Sequence, residues 1–162
     1  MKKYIILLVL FLSSVASAIE RQQQDNWCWA ACIQTCMQQA GRPVSQPEIV
    51  ARLTGWVQNR PATIEEVVLI LNSYGFRAWR AGYPGSPQEL YNSLVGGWKL
   101  IAFVRPTNGP VGHFIVLESV EPVYGGIFVS DPWIPNTQPI MLNVLYQQWR
   151  WVDSIVVGAP HF

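Results

Sequence analysis

The sequence predicts an α+β fold in which an N-terminal helical subdomain packs on a C-terminal, mostly antiparallel β-sheet. Two observations support this prediction. Helix-capping residues and helix-ending glycines recur through the first half of the chain. The second half consists of β-branched and aromatic runs that glycine and proline separate. The order of these signals, helices first and strands second, indicates segregated layers rather than alternating βαβ units.

The N-terminus is predicted to be a secretory signal peptide over residues 1–18, followed by one domain over residues 19–162. Lys2 and Lys3 form a positive n-region, an apolar run follows, and an A-x-A cleavage site ends at Ala18. The apolar run is too short for a comfortable membrane span. We therefore expect an exported protein, periplasmic or secreted, with no stable membrane insertion after cleavage. An uncleaved N-terminal anchor is the alternative.

Four helices are predicted in the first half, each with a polar residue at its start and a glycine at its end. The first starts at Asp25 or Asn26, and the other three open with a Ser/Thr-x-x-Glu capping pattern. The predicted ranges are from 25 or 26 to about 40, 45–55, 63–74, and 86 to about 95.

Four strands are predicted in the second half, at residues 99–105, 113–120, 126–130 and 152–157. One short helix is expected among them, at residues 143–149. The chain contains no internal repeat and no linker that would divide it. A single domain of this length can bury a proper core.

The charge of the chain argues against a nucleic-acid partner. Without Lys2 and Lys3, nine basic residues remain against ten acidic ones, and no basic patch stands out. Half of all residues are hydrophobic and eight are tryptophan. Most of that aromatic content is expected in the core, and part of it along a surface cleft.

The three cysteines, Cys28, Cys32 and Cys36, recur at one-turn intervals on one face of the first predicted helix. An odd number in an exported protein leaves at least one thiol free or paired outside the chain. A Cys32–Cys36 disulfide would be strained because the Cβ vectors are nearly parallel. Two small buried thiols are the favoured interpretation. The spacing is also a weak zinc signature, since no histidine lies nearby.

Cys28 lies between Trp27 and Trp29 at the start of the first predicted helix, six residues after Gln22. Backbone N–H groups and the positive end of the helix dipole at such a position favour a thiolate. A glutamine side chain, together with a backbone N–H, could hold the oxyanion that forms when a thiolate attacks a carbonyl. The pattern therefore indicates a thiol nucleophile.

A nucleophilic cysteine needs a base, and the base needs an orienting group. Of the two histidines, His161 is the penultimate residue, whereas His113 opens a predicted strand. A histidine beside a strand is often only structural, but this chain offers almost no other base. Asp131 ends a predicted strand 18 residues later, with a turn near residues 124–126. The two side chains would then meet across an antiparallel hairpin.

These motifs together resemble those of the papain-like cysteine peptidases. The matching blocks are Gln22 with Trp27-Cys28-Trp29, then Gly112-His113-Phe114, then Ser130-Asp131-Pro132-Trp133. The order is closest to a small bacterial branch that includes double-glycine leader peptidases and type III effector cysteine proteases. The resemblance implies a papain-like fold with Cys28 as the nucleophile, His113 as the general base and acid, Asp131 as the orienting group and Gln22 as the oxyanion donor.

Three consecutive glutamines leave the position of that donor open among Gln22, Gln23 and Gln24. Trp29, Trp133 and residues 108–112 are expected to edge the substrate cleft. Papain itself is made with a long inhibitory pro-segment, for which the predicted signal cleavage leaves no room here. Any control is therefore expected from export, a separate inhibitor protein or slow folding.

The expected function is that of an exported thiol protease, a hydrolase that cuts peptide bonds through a thioester intermediate without a cofactor. Its expected partner is a protein or peptide substrate. The same Cys–His chemistry also serves peptidoglycan amidohydrolases and acyltransferases. A non-catalytic papain-like binding module, or a structural exported protein with a buried Trp-Cys-Trp, is the alternative outside enzymes.

Overall fold

The structure is a computed structural model that describes residues 19–83, 86–106 and 112–161. The predicted signal peptide and residues 108–111 of the predicted cleft edge lie outside the described residues. The helices are α1 (Cys28–Gln39), α2 (Gln46–Thr54), α3 (Ile64–Ser73), α4 (Pro87–Val95) and α5 (Leu142–Gln148). The strands are β1 (Phe76–Arg80), β2 (Lys99–Pro106), β3 (His113–Val120), β4 (Ile127–Asp131), β5 (Ile134–Ile140) and β6 (Trp149–Pro160).

The strands form one antiparallel sheet in the order β1-β6-β2-β3-β4-β5. The predicted α+β class is confirmed. Helices α1 to α3 cover one face of the sheet, and their core includes Trp29 and Phe114. The second core, around Ile115 and Leu117, includes residues of α4 and α5. Neighbouring residues of β3 therefore belong to different cores, as the alternation of side chains along a strand requires.

The two strands that the sequence analysis missed, β1 and β5, are the two edges of the sheet. Strand β1 has the sequence FRAWR, and β5 has the sequence IPNTQPI. Charged residues and prolines are tolerated at sheet edges, where one side of the strand has no ladder partner. These same residues weaken the strand signal in the sequence. The final strand is also longer than predicted, and Trp149, expected at a helix end, begins it.

The predicted cap of α1 was wrong. The helix begins after Trp27, which makes no side-chain capping bond, rather than at Asp25 or Asn26. The Trp27 N–H instead donates to the Gln24 carbonyl across a tight turn, at 3.0 Å. The N-cap predictions for α2, α3 and α4 are confirmed: the hydroxyls of Ser45, Thr63 and Ser86 accept from the backbone N–H three residues on. The reciprocal bond of a full capping box is recorded for α3, where Glu66 accepts the Thr63 N–H at 2.8 Å.

Among the described residues, no helix has the length and hydropathy needed to cross a bilayer.

Candidate active site

Cys28 is the first residue of α1. Its backbone N–H, like those of Trp29 and Ala30, has no acceptor within the helix, and the first helical bond runs from the Ala31 N–H to the Trp27 carbonyl at 3.0 Å. The flanking indoles fix this helix end: Trp27 Nε1 donates to the Gln58 carbonyl at 3.0 Å, and Trp29 Nε1 donates to the Arg60 carbonyl at 3.1 Å. Trp29 is fully buried, while Cys28 retains 9% exposure. The thiol is thus held at a rigid, positively polarised helix terminus with limited access to solvent.

The antiparallel pairing of β3 and β4 brings His113 and Asp131 together. His113 is the first residue of β3, and Asp131 is the last residue of β4. His113 Nε2 and Asp131 Oδ1 lie 2.7 Å apart. The same Oδ1 accepts the backbone N–H of Trp133 at 2.9 Å. The carboxylate is therefore fixed by the turn that follows it as well as by the imidazole.

Two opposing effects act on the imidazole of His113, which is 1% exposed. Burial lowers the pKa of His113, but hydrogen bonds to Asp131 and Cys28 outweigh burial and raise it above its ordinary value. Because Nε2 lies on Asp131, Nδ1 is the ring nitrogen available to the thiol. The structure thus brings Cys28, His113 and Asp131 into one chain of contacts.

Trp133 covers this pair from one side. Its ring lies on the imidazole of His113, with centroids 3.9 Å apart and planes inclined by 12°. The indole is 42% exposed. It therefore shields that face of the His113 imidazole from solvent.

A cleft of about 270 Å³ opens in front of Cys28 and His113. Asp25 and Asn26 lie along it, and its other walls are largely apolar. Those walls include Trp29, Pro61, Ala62, Phe103, Gly112, Phe114 and Trp133. The predictions that Trp133 and Gly112 edge the cleft therefore agree with the structure, whereas Trp29 lines the cleft from a fully buried position. A Cβ on Gly112 would overlap the ring of Phe103, so only glycine lets that ring approach the backbone next to His113.

Gln22 lies against the turn that precedes α1. Its Nε2 donates to the carbonyls of Gln24, at 3.0 Å, and Asp25, at 2.8 Å. Its Oε1 is buried and has no hydrogen-bond partner among the described residues. Both amide protons are thus directed at the turn, and Gln22 is not among the residues that line the cleft. Gln23 and Gln24 are exposed, whereas Gln22 is half-buried.

Cys32 and Cys36 are free and buried, as the favoured interpretation of the sequence expected. Burial raises the pKa of Cys32 well above its ordinary value and that of Cys36 to about 12. Both thiols therefore stay protonated near neutral pH. Among the described residues, no group of three or more His, Cys, Asp or Glu side chains is arranged to hold a metal ion.

His161 lies apart from the other predicted site residues. It borders a cavity of about 630 Å³ that Met37, Arg52 and Tyr74 also line. Its backbone N–H donates to the Gly75 carbonyl at 2.9 Å. This cavity contains neither Cys28 nor His113, so the larger cavity is not the site of the chemistry that the sequence indicates.

Several solved structures share this architecture, among them two peptidases. One is the peptidase domain of Streptococcus ComA, a bifunctional ABC transporter involved in a quorum-sensing pathway, with a TM-score of 0.67 and 14% identity. The match covers 90% of this chain and 99% of that domain. The other is a double-glycine motif protease from an AMS/PCAT transporter in complex with the leader peptide, with a TM-score of 0.64 and 18% identity. This second match covers 90% of this chain and 94% of the protease chain.

The fold is that of papain-like peptidase domains. The expected resemblance to double-glycine leader peptidases is confirmed at the level of the fold. No protein-family model and no curated protein matches the sequence. At such low identity the likeness establishes the fold, and the chemistry depends on the side chains of this chain.

Sequence reasoning missed two contributors to the site. Phe103 was predicted only as a strand residue, and its contact with Gly112 joins β2 to the residue just before β3. Gln46 was predicted only as a residue of a first helical turn, yet it is fully buried and binds the backbone on both sides of Gln22. Neither partner is near in sequence, so no local pattern could have indicated these contacts.

Proposed function

We propose that this chain is a cysteine peptidase whose catalytic residues are Cys28, His113 and Asp131. The observation that supports this best is the 2.7 Å contact between His113 Nε2 and Asp131 Oδ1 beside a thiol at a helix N-terminus. Such a chain of nucleophile, base and orienting carboxylate is the arrangement that covalent acyl transfer requires. The likeness of the fold to cysteine peptidase domains supports the same reaction.

The reaction begins when the Cys28 thiolate, paired with the His113 imidazolium, attacks a peptide carbonyl. A C–S bond forms, and the carbonyl π electrons move to the oxygen. His113 then gives its proton to the leaving amine as the C–N bond breaks, which leaves a thioester. Water attacks the thioester, His113 accepts the proton of that water, and the acid product departs as the thiolate is restored. Asp131 holds the imidazole in one tautomer throughout and stabilises its charged form.

The oxyanion is stabilised by the Cys28 backbone N–H and by Gln22 Nε2. In the structure, Nε2 donates to the carbonyls of Gln24 and Asp25. When substrate binds, Gln22 Nε2 therefore breaks one of these two hydrogen bonds. The N–H group that this releases donates to the developing oxyanion. Gln22 is preferred to Gln23 and Gln24 because its side chain lies in the turn before Cys28.

The proposed substrate is a peptide with a double-glycine motif, which enters the cleft in front of Cys28. The protein from the AMS/PCAT transporter is a double-glycine motif protease bound to a leader peptide, which supports this class. The largely apolar walls of the cleft suit an uncharged segment of peptide. Residues 1–18 are proposed to direct export, so that the enzyme acts in the periplasm or outside the cell.

Replacing the nucleophile tests the proposed reaction. Purified wild type, Cys28→Ala and Cys36→Ala are incubated with a peptide library that includes Gly-Gly sequences, and the products are identified by mass spectrometry. Cys36→Ala is the matched control because it removes a buried thiol two turns away. We expect cleavage after Gly-Gly by the wild type and the control, and none by Cys28→Ala. Turnover by folded Cys28→Ala would contradict the proposal.

The same proteins separate the alternative substrates. Release of muropeptides from purified cell walls, without cleavage of peptides, would identify a peptidoglycan amidohydrolase. Transfer of the acyl group to an added amine in preference to water would identify an acyltransferase. Absence of all three activities, together with slow alkylation of Cys28 at neutral pH, would identify a binding module.

Export has a separate test. N-terminal sequencing of the protein recovered from each cell fraction is expected to give a chain that begins at Ile19 in the periplasm or the medium. A chain that begins well after Gln22 would remove the proposed oxyanion donor and overturn its assignment.

A further inference from the structure

A buried glutamine holds the backbone on both sides of the proposed oxyanion donor. Gln46 is the first residue of α2 and is fully buried. Its Nε2 donates to the Arg21 carbonyl at 3.0 Å, and its Oε1 accepts the Gln23 N–H at 2.9 Å. The side-chain amide thus pairs with the main chain around Gln22 as a neighbouring strand would.

The orientation of the Gln46 amide is determined by its surroundings. Its Nε2 also donates to Gln34 Oε1 at 2.9 Å, and Gln34 Nε2 in turn donates to a Glu20 carboxylate oxygen at 3.0 Å. A carboxylate and a carbonyl only accept hydrogen bonds, and a backbone N–H only donates. Reversing either amide would therefore place acceptor against acceptor. The network from Glu20 through Gln34 to Gln46 has a single satisfied arrangement.

The backbone of residue 22 is fixed on a further side. The Gln22 N–H donates to the Pro132 carbonyl at 3.1 Å. Pro132 follows Asp131 directly, so this bond ties the segment before α1 to the turn that holds the proposed catalytic carboxylate. Together with the two bonds from Gln46, it sets the position from which the Gln22 side chain extends.

We infer that Gln46 is a positioning residue that acts through Gln22, placing the oxyanion donor for the proposed peptidase reaction. The inference rests on the proposed function. Gln46 is not among the residues that line the cleft, and its polar contacts run to Arg21, Gln23 and Gln34. Its loss should therefore displace the donor while leaving the Cys28–His113 pair intact. The oxyanion donor has to be placed with ångström precision, because a misplaced donor loses most of its stabilising effect on the transition state.

Two reactions of the same thiol separate these roles. When iodoacetamide alkylates Cys28, the thiolate attacks a saturated carbon and no oxyanion forms. The alkylation rate therefore reports the reactivity of the Cys28–His113 pair. Peptide hydrolysis needs both that pair and the oxyanion donor. A residue that acts only through the donor should slow hydrolysis and leave alkylation unchanged.

The test uses Gln46→Met, which keeps the length of the side chain but removes its hydrogen bonds, with Gln22→Ala and the double variant. The probe is the fluorogenic Gly-Gly peptide that the wild type cleaves best. We expect kcat to fall about 100-fold in Gln22→Ala and tenfold or more in Gln46→Met. KM and the alkylation rate should stay within about twofold. The double variant should be no slower than Gln22→Ala alone, because both changes remove one function.

Asn72→Leu is the matched control. Asn72 Nδ2 donates to the Ala78 carbonyl and its Oδ1 accepts the Ala78 N–H, so this side chain is also an amide that clamps a backbone segment. Ala78 lies in β1, at an edge of the sheet. We expect Asn72→Leu to lower the thermal midpoint without changing kcat. A similar loss of kcat in this control would show that destabilisation alone explains Gln46→Met.

Gln46→Glu is a second variant that tests the inference if Gln46→Met does not fold. An ionised carboxylate still accepts the Gln23 N–H but cannot donate to Arg21, and a protonated carboxyl can. The kcat of Gln46→Glu, divided by that of the wild type at each pH, should rise as pH falls. A pH-independent ratio would overturn the inference, as would normal kcat in Gln46→Met or multiplicative losses in the double variant. A wild type without turnover would overturn the proposed function, and this inference with it.

Discussion

The indole of Trp133 lies flat on the imidazole of His113, with ring centroids 3.9 Å apart. The same residue donates its backbone N–H to Asp131 Oδ1, the atom that also holds His113. Trp133 therefore contacts both members of the pair, one through its ring and the other through its main chain. Removing the ring would leave the backbone bond in place, so the two contributions can be separated.

Trp133→Ala is expected to lower kcat by roughly tenfold or less, because an aromatic stack contributes about 0.5–1.5 kcal/mol and its loss admits water to the His113–Asp131 bond. Trp133→Phe keeps an aromatic face over the imidazole and should retain most of the activity. Steady-state kinetics of both variants checks this. Equal losses in the two variants would show that the indole acts by something other than stacking.

Asp131→Asn is expected to move the alkaline limb of kcat/KM to lower pH. The hydrogen bonds of Asp131 and Cys28 raise the pKa of His113 above 6.5, so the imidazolium persists above that pH in the wild type. Without the carboxylate charge, the imidazole loses its proton earlier as pH rises. The loss of kcat/KM near neutral pH should be roughly tenfold or more. A pH–rate profile measures both effects, and an unmoved alkaline limb would contradict the assignment of Asp131.

The same pKa shift predicts how stability depends on pH. A group whose pKa is raised on folding stabilises the native state fully below its unfolded value, and this contribution is lost as pH rises through the folded value. For His113 the loss starts near pH 6.5 and is complete above its raised pKa. Urea unfolding of wild type and His113→Gln across this range should show the two stabilities converging as pH increases.

Iodoacetamide at neutral pH is expected to modify Cys28 and spare the other two cysteines. Cys32 and Cys36 are at most 1% exposed, and burial raises the pKa of each thiol. Neither offers an accessible thiolate, which is the reactive form. Peptide mapping after limited alkylation checks this. Modification of Cys32 or Cys36 in the folded Cys28→Ala variant would show that α1 opens more readily than its packing implies.

Gly112→Ala is expected to distort the cleft, since the added Cβ would overlap the ring of Phe103. Activity and the thermal midpoint should both fall, by an amount typical of overpacking, about 1–3 kcal/mol in stability. The double variant Gly112→Ala/Phe103→Leu provides space for the methyl group and should recover part of the activity. No recovery would mean that Gly112 is needed for its backbone rather than for the space beside Phe103.

Much of the fold could be predicted because its signals are local. The Ser45, Thr63 and Ser86 caps each involve residues three apart in sequence, and all three formed as expected. The prediction for the cap of α1 was wrong because other groups bind the turn before that helix. The Trp27 N–H donates to the Gln24 carbonyl, and the Asn26 N–H donates to the side chain of Asn59. Strands β1 and β5 were missed because edge positions admit the arginines and prolines that a central strand excludes.

The sequence by itself determined the identity and order of the chemical groups: a thiol at a helix start, one histidine at a strand start and one aspartate at a strand end. Local spacing is enough to place each on its own element. The spacing of His113 and Asp131 also predicted that the two side chains meet across a hairpin, as they do. Only the tertiary structure decided that Trp133 lies on the imidazole and that Gln46 holds the segment around Gln22. These contacts join residues far apart in the chain, so their geometry depends on how the whole core packs.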